Sequence, residues 1–131
     1  MNIIKMKKVV IVTGSTSGYG LATARKFKEE GYIVIAASRN NEKVEKIVEE
    51  NGFDAGYTID VTDYEQWENM KKWVMKEYGR IDVLVNNAGG GISIVDTTEQ
   101  TKKNIDDIIA LNLNSVIYGS NIFGNIMKKT T

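Results

Sequence analysis

Two apolar periods alternate along this chain, and their exchange constrains the fold more than anything else in the sequence. Short apolar runs (Lys8–Val12, Tyr32–Ala37, Tyr57–Ile59, Ile81–Val85) are each followed by residues that favour turns. Between them, apolar residues recur every three or four positions. Continuous apolar runs suit strands buried on both faces, and the longer period suits helices with one inward face. The first helix is predicted from Gly20, Ala24 and Phe27, with Gly31 at its C-terminal cap. The second opens at Asn41, turns Val44, Ile47 and Val48 inward and ends at Gly52. The third buries Trp67, Met70, Val74 and Tyr78 and stops at Gly79, and Thr62-Asp63-Tyr64-Glu65 before it reads as a capping box with Thr62 as the cap. A polar, Thr-rich connection leads to a long helix from about 104 to 127. Strand–helix repetition with short links predicts an α/β fold with a parallel sheet and helices on both faces. Four such units make one 131-residue domain of Rossmann type with strand order 3-2-1-4, two strands short of the full 3-2-1-4-5-6.

The first strand-to-helix link is Thr13-Gly14-Ser15-Thr16-Ser17-Gly18-Tyr19-Gly20. A helix start presents unpaired N–H groups and a partial positive charge, so an anion sits there favourably. Gly14 permits a tight turn, Gly18 admits a pyrophosphate close to the backbone, and Gly20 lets the helix approach its neighbours. Ser15, Thr16 and Ser17 add hydroxyl donors. The spacing G-x-x-x-G-x-G lacks the Lys-Ser/Thr ending of a P-loop, which disfavours a nucleotide hydrolase. Asp60, at the end of the third run, and Asn86-Asn87-Ala88-Gly89, after the fourth, would share the carboxyl edge of the sheet, where ligands bind in open α/β folds. Read by itself, the Asn-Asn-Ala-Gly stretch is equally a simple turn.

Four features in this order resemble the short-chain dehydrogenase/reductase family: Thr13-Gly14-x-x-x-Gly18-x-Gly20, Asp60-Val61, Asn86-Asn87-Ala88-Gly89, and Asn112 within Leu111-Asn112-Leu113. The resemblance implies a nicotinamide dinucleotide held by Gly14, Ser15, Thr16, Ser17, Gly18, Tyr19 and Gly20, by Asp60 and Val61 at the adenine, and by Asn87, Ala88 and Gly89. Asn112 takes the place of the family's structural and catalytic asparagine. The cofactor choice turns on Ser38-Arg39-Asn40. A carboxylate there would bind a ribose 2′-OH, whereas Arg39 can fork onto a 2′-phosphate, so NADP is expected and NAD is the alternative. A plain surface arginine is the competing reading of Arg39.

The family's chemistry also needs a Ser and a Tyr with a Lys four residues on. Here the residues four after Tyr19, Tyr32, Tyr57, Tyr64, Tyr78 and Tyr118 are Thr23, Ala36, Val61, Glu68, Asp82 and Ile122. The expectation is therefore a cofactor-binding portion, inactive alone. The alternatives are a non-enzymatic NADP(H) sensor or partner subunit, or a self-associating fragment.

Composition narrows the field further. Seventeen basic residues balance seventeen acidic ones, so no basic surface points to nucleic acid or membrane. With no Cys and no His, disulfides, thiolate nucleophiles, Cys/His zinc sites and histidine bases are excluded, and no metal site is expected. Lys5, Lys7 and Lys8 ahead of Val9–Val12 are similar to the start of a signal peptide, but the apolar run breaks at Thr13-Gly14 and is too short. A cytoplasmic protein is expected. The long helix carries apolar residues round most of its circumference, among them Ile109, Val116, Ile117 and Phe123, and these predict a homo-oligomer formed through residues 104–127.

Overall fold

The computed structural model describes residues 7–91 and 94–129; Lys5 of the basic tail and part of the Thr-rich connection lie outside the described residues. The strands are β1 (Val9–Thr13), β2 (Ile33–Ser38), β3 (Ala55–Thr58) and β4 (Val83–Val85). They form one parallel sheet in the order β3-β2-β1-β4. Val10 stands between Val34 and Val83, and Ile11 between Ile35 and Leu84, so β1 is covered on both edges.

Both faces of the sheet are buried, which explains the absence of polar alternation in β1 and β2. Val10, Val12, Val34 and Ala36 pack on one face with α1 (Gly18–Glu29) and α2 (Asn41–Asn51), through Ala24 and Ile47. Val9, Ile11, Ile35 and Ala37 pack on the other with Trp67, Met70 and Val74 of α3 (Tyr64–Tyr78) and Ile122 and Phe123 of α5 (Ser115–Met127). Gly52 and Gly79 end α2 and α3 in the left-handed conformation, at φ 64° and 73°.

Two expectations need correction. Thr62 does not cap α3. Its N–H and hydroxyl both donate to Asp60 Oδ1, at 3.0 and 2.7 Å, and Asp63 caps instead by accepting the Glu65 N–H at 3.0 Å. Aspartate brings a charged acceptor to the helix start, and Thr62 is already committed to the preceding turn. Phe123 does not face outward either. It is fully buried, edge-on to Trp67 with ring centroids 6.1 Å apart. The expected long helix is likewise composite: α4 (Lys102–Ile109) passes into α5 through a π-helical turn, Ala110–Asn114.

Candidate dinucleotide site

At the carboxyl edge of the sheet a cavity of about 590 Å³ opens over the first strand-to-helix turn. Five segments line it: Gly14, Ser38-Arg39, Ile59 to Thr62, Ala88 to Gly91, and Asp107 with Ala110 and Leu111. Gly14, Arg39, Asp60, Val61, Ala88 and Gly89, all singled out in the sequence, thus meet around one space.

The turn is built to let backbone approach backbone. Gly14 has φ +63°, and a Cβ there would lie 2.9 Å from Ala88 Cα. At Gly20 a Cβ would lie 2.2 Å from the Gly14 carbonyl oxygen and 2.5 Å from Asn87 Nδ2. Gly20 therefore seats α1 on its own preceding turn and on the β4 loop. Gly18 has φ +54° and open space around its Cβ position. Ser17 is the N-cap of α1 and makes no side-chain cap bond, so the amides of the first turn have no side-chain acceptor there.

The hydroxyl residues divide. Ser15 is fully buried, and its hydroxyl donates to the Ala37 carbonyl at 3.4 Å, bracing the turn against β2. Thr16 is half-buried and Ser17 exposed. The Tyr19 side chain is 89% exposed and does not line the cavity.

Thr13 ties the turn to the β4 loop. Its buried Oγ1 accepts the N–H groups of Asn87 and Ala88, both at 3.0 Å, and donates to the Val85 carbonyl at 3.3 Å. Asn87 Nδ2 donates back to the Gly14 carbonyl at 3.1 Å. Asn87 thus shapes the cavity wall without lining it.

Asn112 sits inside the π-helical turn. Its Oδ1 accepts the Gly90 N–H and its Nδ2 donates to the Gly90 carbonyl, both at 2.9 Å. The same Nδ2 donates to the Ile108 carbonyl at 3.0 Å, and the Ser115 hydroxyl bonds the Leu111 carbonyl. Side chains therefore serve backbone carbonyls on both sides of a helix segment with irregular bonding. π-Helical turns recur at functional positions, and this one clamps the glycine loop that forms a cavity wall.

The charged groups are arranged unevenly. Arg39 lines the cavity and has no hydrogen-bond or ion-pair partner among the described residues. Asp60 is oriented by Thr62 through Oδ1, and its own N–H donates to Gln66 Oε1 at 2.8 Å. Asp107 pairs with Lys103 one turn earlier. The pairing raises the Lys103 pKa, through the hydrogen bond first and the charge second. Asp107, Ala110 and Leu111 were not singled out in the sequence as cofactor-site residues. Their signal was present in the spacing 107, 110, 111, which is one helical face, but nothing in the sequence locates that face over the sheet edge.

Parallel order 3-2-1-4, with a glycine turn at the carboxyl edge beside the first strand, defines a Rossmann-type α/β protein. A family model described as short chain dehydrogenase matches residues 8–131, and the chain belongs to that family. It is 38% identical over 116–120-residue scale alignments to meso-2,3-butanediol dehydrogenase of Serratia marcescens, specifically over 120 residues, covering 86% of this chain and 45% of that protein. Among solved structures, the alcohol dehydrogenase of the archaeon Thermococcus sibiricus complexed with 5-hydroxy-NADP superposes with TM-score 0.85 at 30% identity, covering 95% of this chain and 55% of that one. A metagenomic short-chain oxidoreductase in complex with NADP gives TM-score 0.88 at 30% identity, with coverages of 94% and 57%. The chain thus spans about half the length of these relatives.

Proposed function

We propose that this chain is the NADP(H)-binding portion of a short-chain oxidoreductase that moves hydride between nicotinamide and a carbonyl or alcohol. The observation that carries the reading is the single cavity wall-set in which Gly14, Arg39, Asp60 and Ala88–Gly89 converge above the start of α1. The residues fit the group. The close-approach glycines leave backbone at the surface of the turn, the first-turn amides suit a pyrophosphate, and Arg39 is free to take a 2′-phosphate. The two solved relatives with NADP-type ligands support the phosphate form of the cofactor. When bound, the nicotinamide would supply the hydride. This chain would bind and orient the dinucleotide, with Asn112 holding the loop at Gly90.

No Tyr in the chain has Lys four residues on, and the chain by itself is read as inactive. A cytoplasmic setting and self-association through α4–α5 belong to the same reading. Among the described residues no helix is long and apolar enough to cross a membrane.

Titration with NADPH and NADH, followed by the fluorescence of Trp67 and Trp73, tests the proposal. NADPH should bind more tightly. Arg39→Ala should weaken NADPH by roughly tenfold or more and leave NADH within about twofold, since a charge-assisted bond to the 2′-phosphate is at stake. Equal affinity for both, or equal loss in the variant, would remove the argument for NADP. Ketone-dependent NADPH oxidation by the purified chain would refute its inactivity.

A further inference from the structure

We infer that Asp107 is a specificity-determining residue that, together with Asp60, selects a 6-aminopurine over a 6-oxopurine at the base end of the cavity. The inference rests on the cofactor reading above.

The location follows from the order of the walls. The pyrophosphate belongs over Gly14 and the first turn of α1. The adenosine ribose belongs at the end of β2, at Ser38 and Arg39. The base then lies one strand further out, over Ile59 to Thr62 at the end of β3. The wall that α4 and the π-helical turn contribute to the same cavity is Asp107, Ala110 and Leu111. Ile59, Val61, Ala110 and Leu111 supply apolar surface suited to a flat ring, and Asp60, Thr62 and Asp107 supply the polar groups.

Those polar groups present acceptors. Thr62 has spent both its N–H and its O–H on Asp60 Oδ1. Asp60 Oδ2 has no protein donor among the described residues. Lys103 is paired with Asp107 Oδ2, which leaves Oδ1 without one. Carboxylates only accept when ionised. A 6-amino group donates and satisfies them, whereas a 6-oxo group sets an acceptor against acceptors. A polar mismatch of that kind discriminates far more strongly than a change in apolar contact.

The experiment compares NADPH with its deamino analogue, which carries hypoxanthine in place of adenine, on the wild-type chain, Asp107→Asn and Lys103→Ala. The wild type should prefer NADPH by roughly tenfold, and Asp107→Asn should narrow that ratio by roughly threefold or more, chiefly by weakening NADPH. The melting temperature without ligand should not change, because this side chain is largely solvated. Lys103→Ala should keep the preference, because the carboxylate remains. Equal loss of both nucleotides in Asp107→Asn, or no loss of either, overturns the inference. So does a Lys103→Ala variant that loses the preference as fully as Asp107→Asn. Tight binding of both nucleotides with no preference would sink only the role of Asp107, whereas no binding of either would sink the cofactor reading beneath it.

Discussion

Thr13 shows how much a single hydroxyl can organise. One oxygen accepts two consecutive N–H groups of the β4 loop and donates to a third peptide, across more than seventy residues of chain. Thr13→Val keeps the shape and removes the acceptor. Unfolding by urea should show a loss of about 1–3 kcal/mol, the range for leaving buried donors unpaired. NADPH affinity should fall as well, because Ala88 and Gly89 line the cavity. Unchanged stability would mean that water replaces the hydroxyl. Asp82 plays a comparable part at the other end of the sheet. It accepts the Val9 N–H at 2.8 Å and a two-point contact from Arg80 at 2.8 and 2.6 Å. The Arg80 hydrogen bond is the main cause that lowers its pKa, with the Val9 N–H assisting. Because the folded value is depressed, this stabilisation is present above the ordinary aspartate pKa of about 3.9 and is lost as pH falls through the folded value. Asp82→Asn should therefore cost about 1–2 kcal/mol at pH 7 and much less below pH ~3. A pH-independent difference between the two proteins would contradict this assignment.

At the level of elements, the helical run from α4 to α5 does two jobs with opposite requirements. Asn112 must reach Gly90 at the cavity, while Ser115, Gly119, Ile122 and Phe123 must lie inside the fold. The π-helical turn between them shifts the rotational phase of the helix and meets both. Packing on the inner side is close at Gly119, where a Cβ would stand 2.7 Å from Trp67 Cη2 and 2.9 Å from Asn86 Oδ1. Gly119→Ala gains helix propensity of about 1 kcal/mol but overpacks a buried ring, at a cost of about 1–3 kcal/mol. Net destabilisation in thermal melts, with a changed Trp emission, is the expected result. A more stable variant would show that α5 can move away from α3 without loss. The residues of this packing were legible in the sequence as a periodic apolar pattern. The phase shift was not, because a single extra residue in a helical turn leaves no mark in composition or spacing.

For the whole molecule, burial inside the fold and burial between copies must be separated. Ile122 and Phe123 belong to the sheet face, but Ile105, Ile109, Leu113 and Ile117 remain exposed along one side of the run, with Leu113 and Ile117 at 54% and 55%. An apolar stripe of this kind is uncommon on a monomer. The association expected from the sequence is therefore proposed for this stripe, with Ile109 and Ile117 kept and Phe123 removed from the contact. Sedimentation at micromolar concentration should show a dimer or larger species. Ile109→Asp with Ile117→Asp should return it to monomer with unchanged far-UV circular dichroism. A monomeric wild type would refute the proposal. The sheet has a second exposed feature in β4, which pairs only with β1 among the described residues.

The division between sequence and tertiary structure follows from the range of each interaction. Strand and helix alternation, the glycine turn, the glycine stops after α2 and α3, and the sheet-edge positions of Asp60 and Ala88 were all legible, because local periodicity and backbone permissiveness write them directly into the chain. Tertiary structure decided that Asp63 rather than Thr62 caps α3, since the choice depends on what else each side chain can reach. It turned Ser15 toward Ala37, directed Phe123 inward, and brought Asp107 and Leu111 over residues about fifty positions earlier. Those outcomes depend on contacts between distant segments, and no spacing within one segment can express which distant partner it will meet.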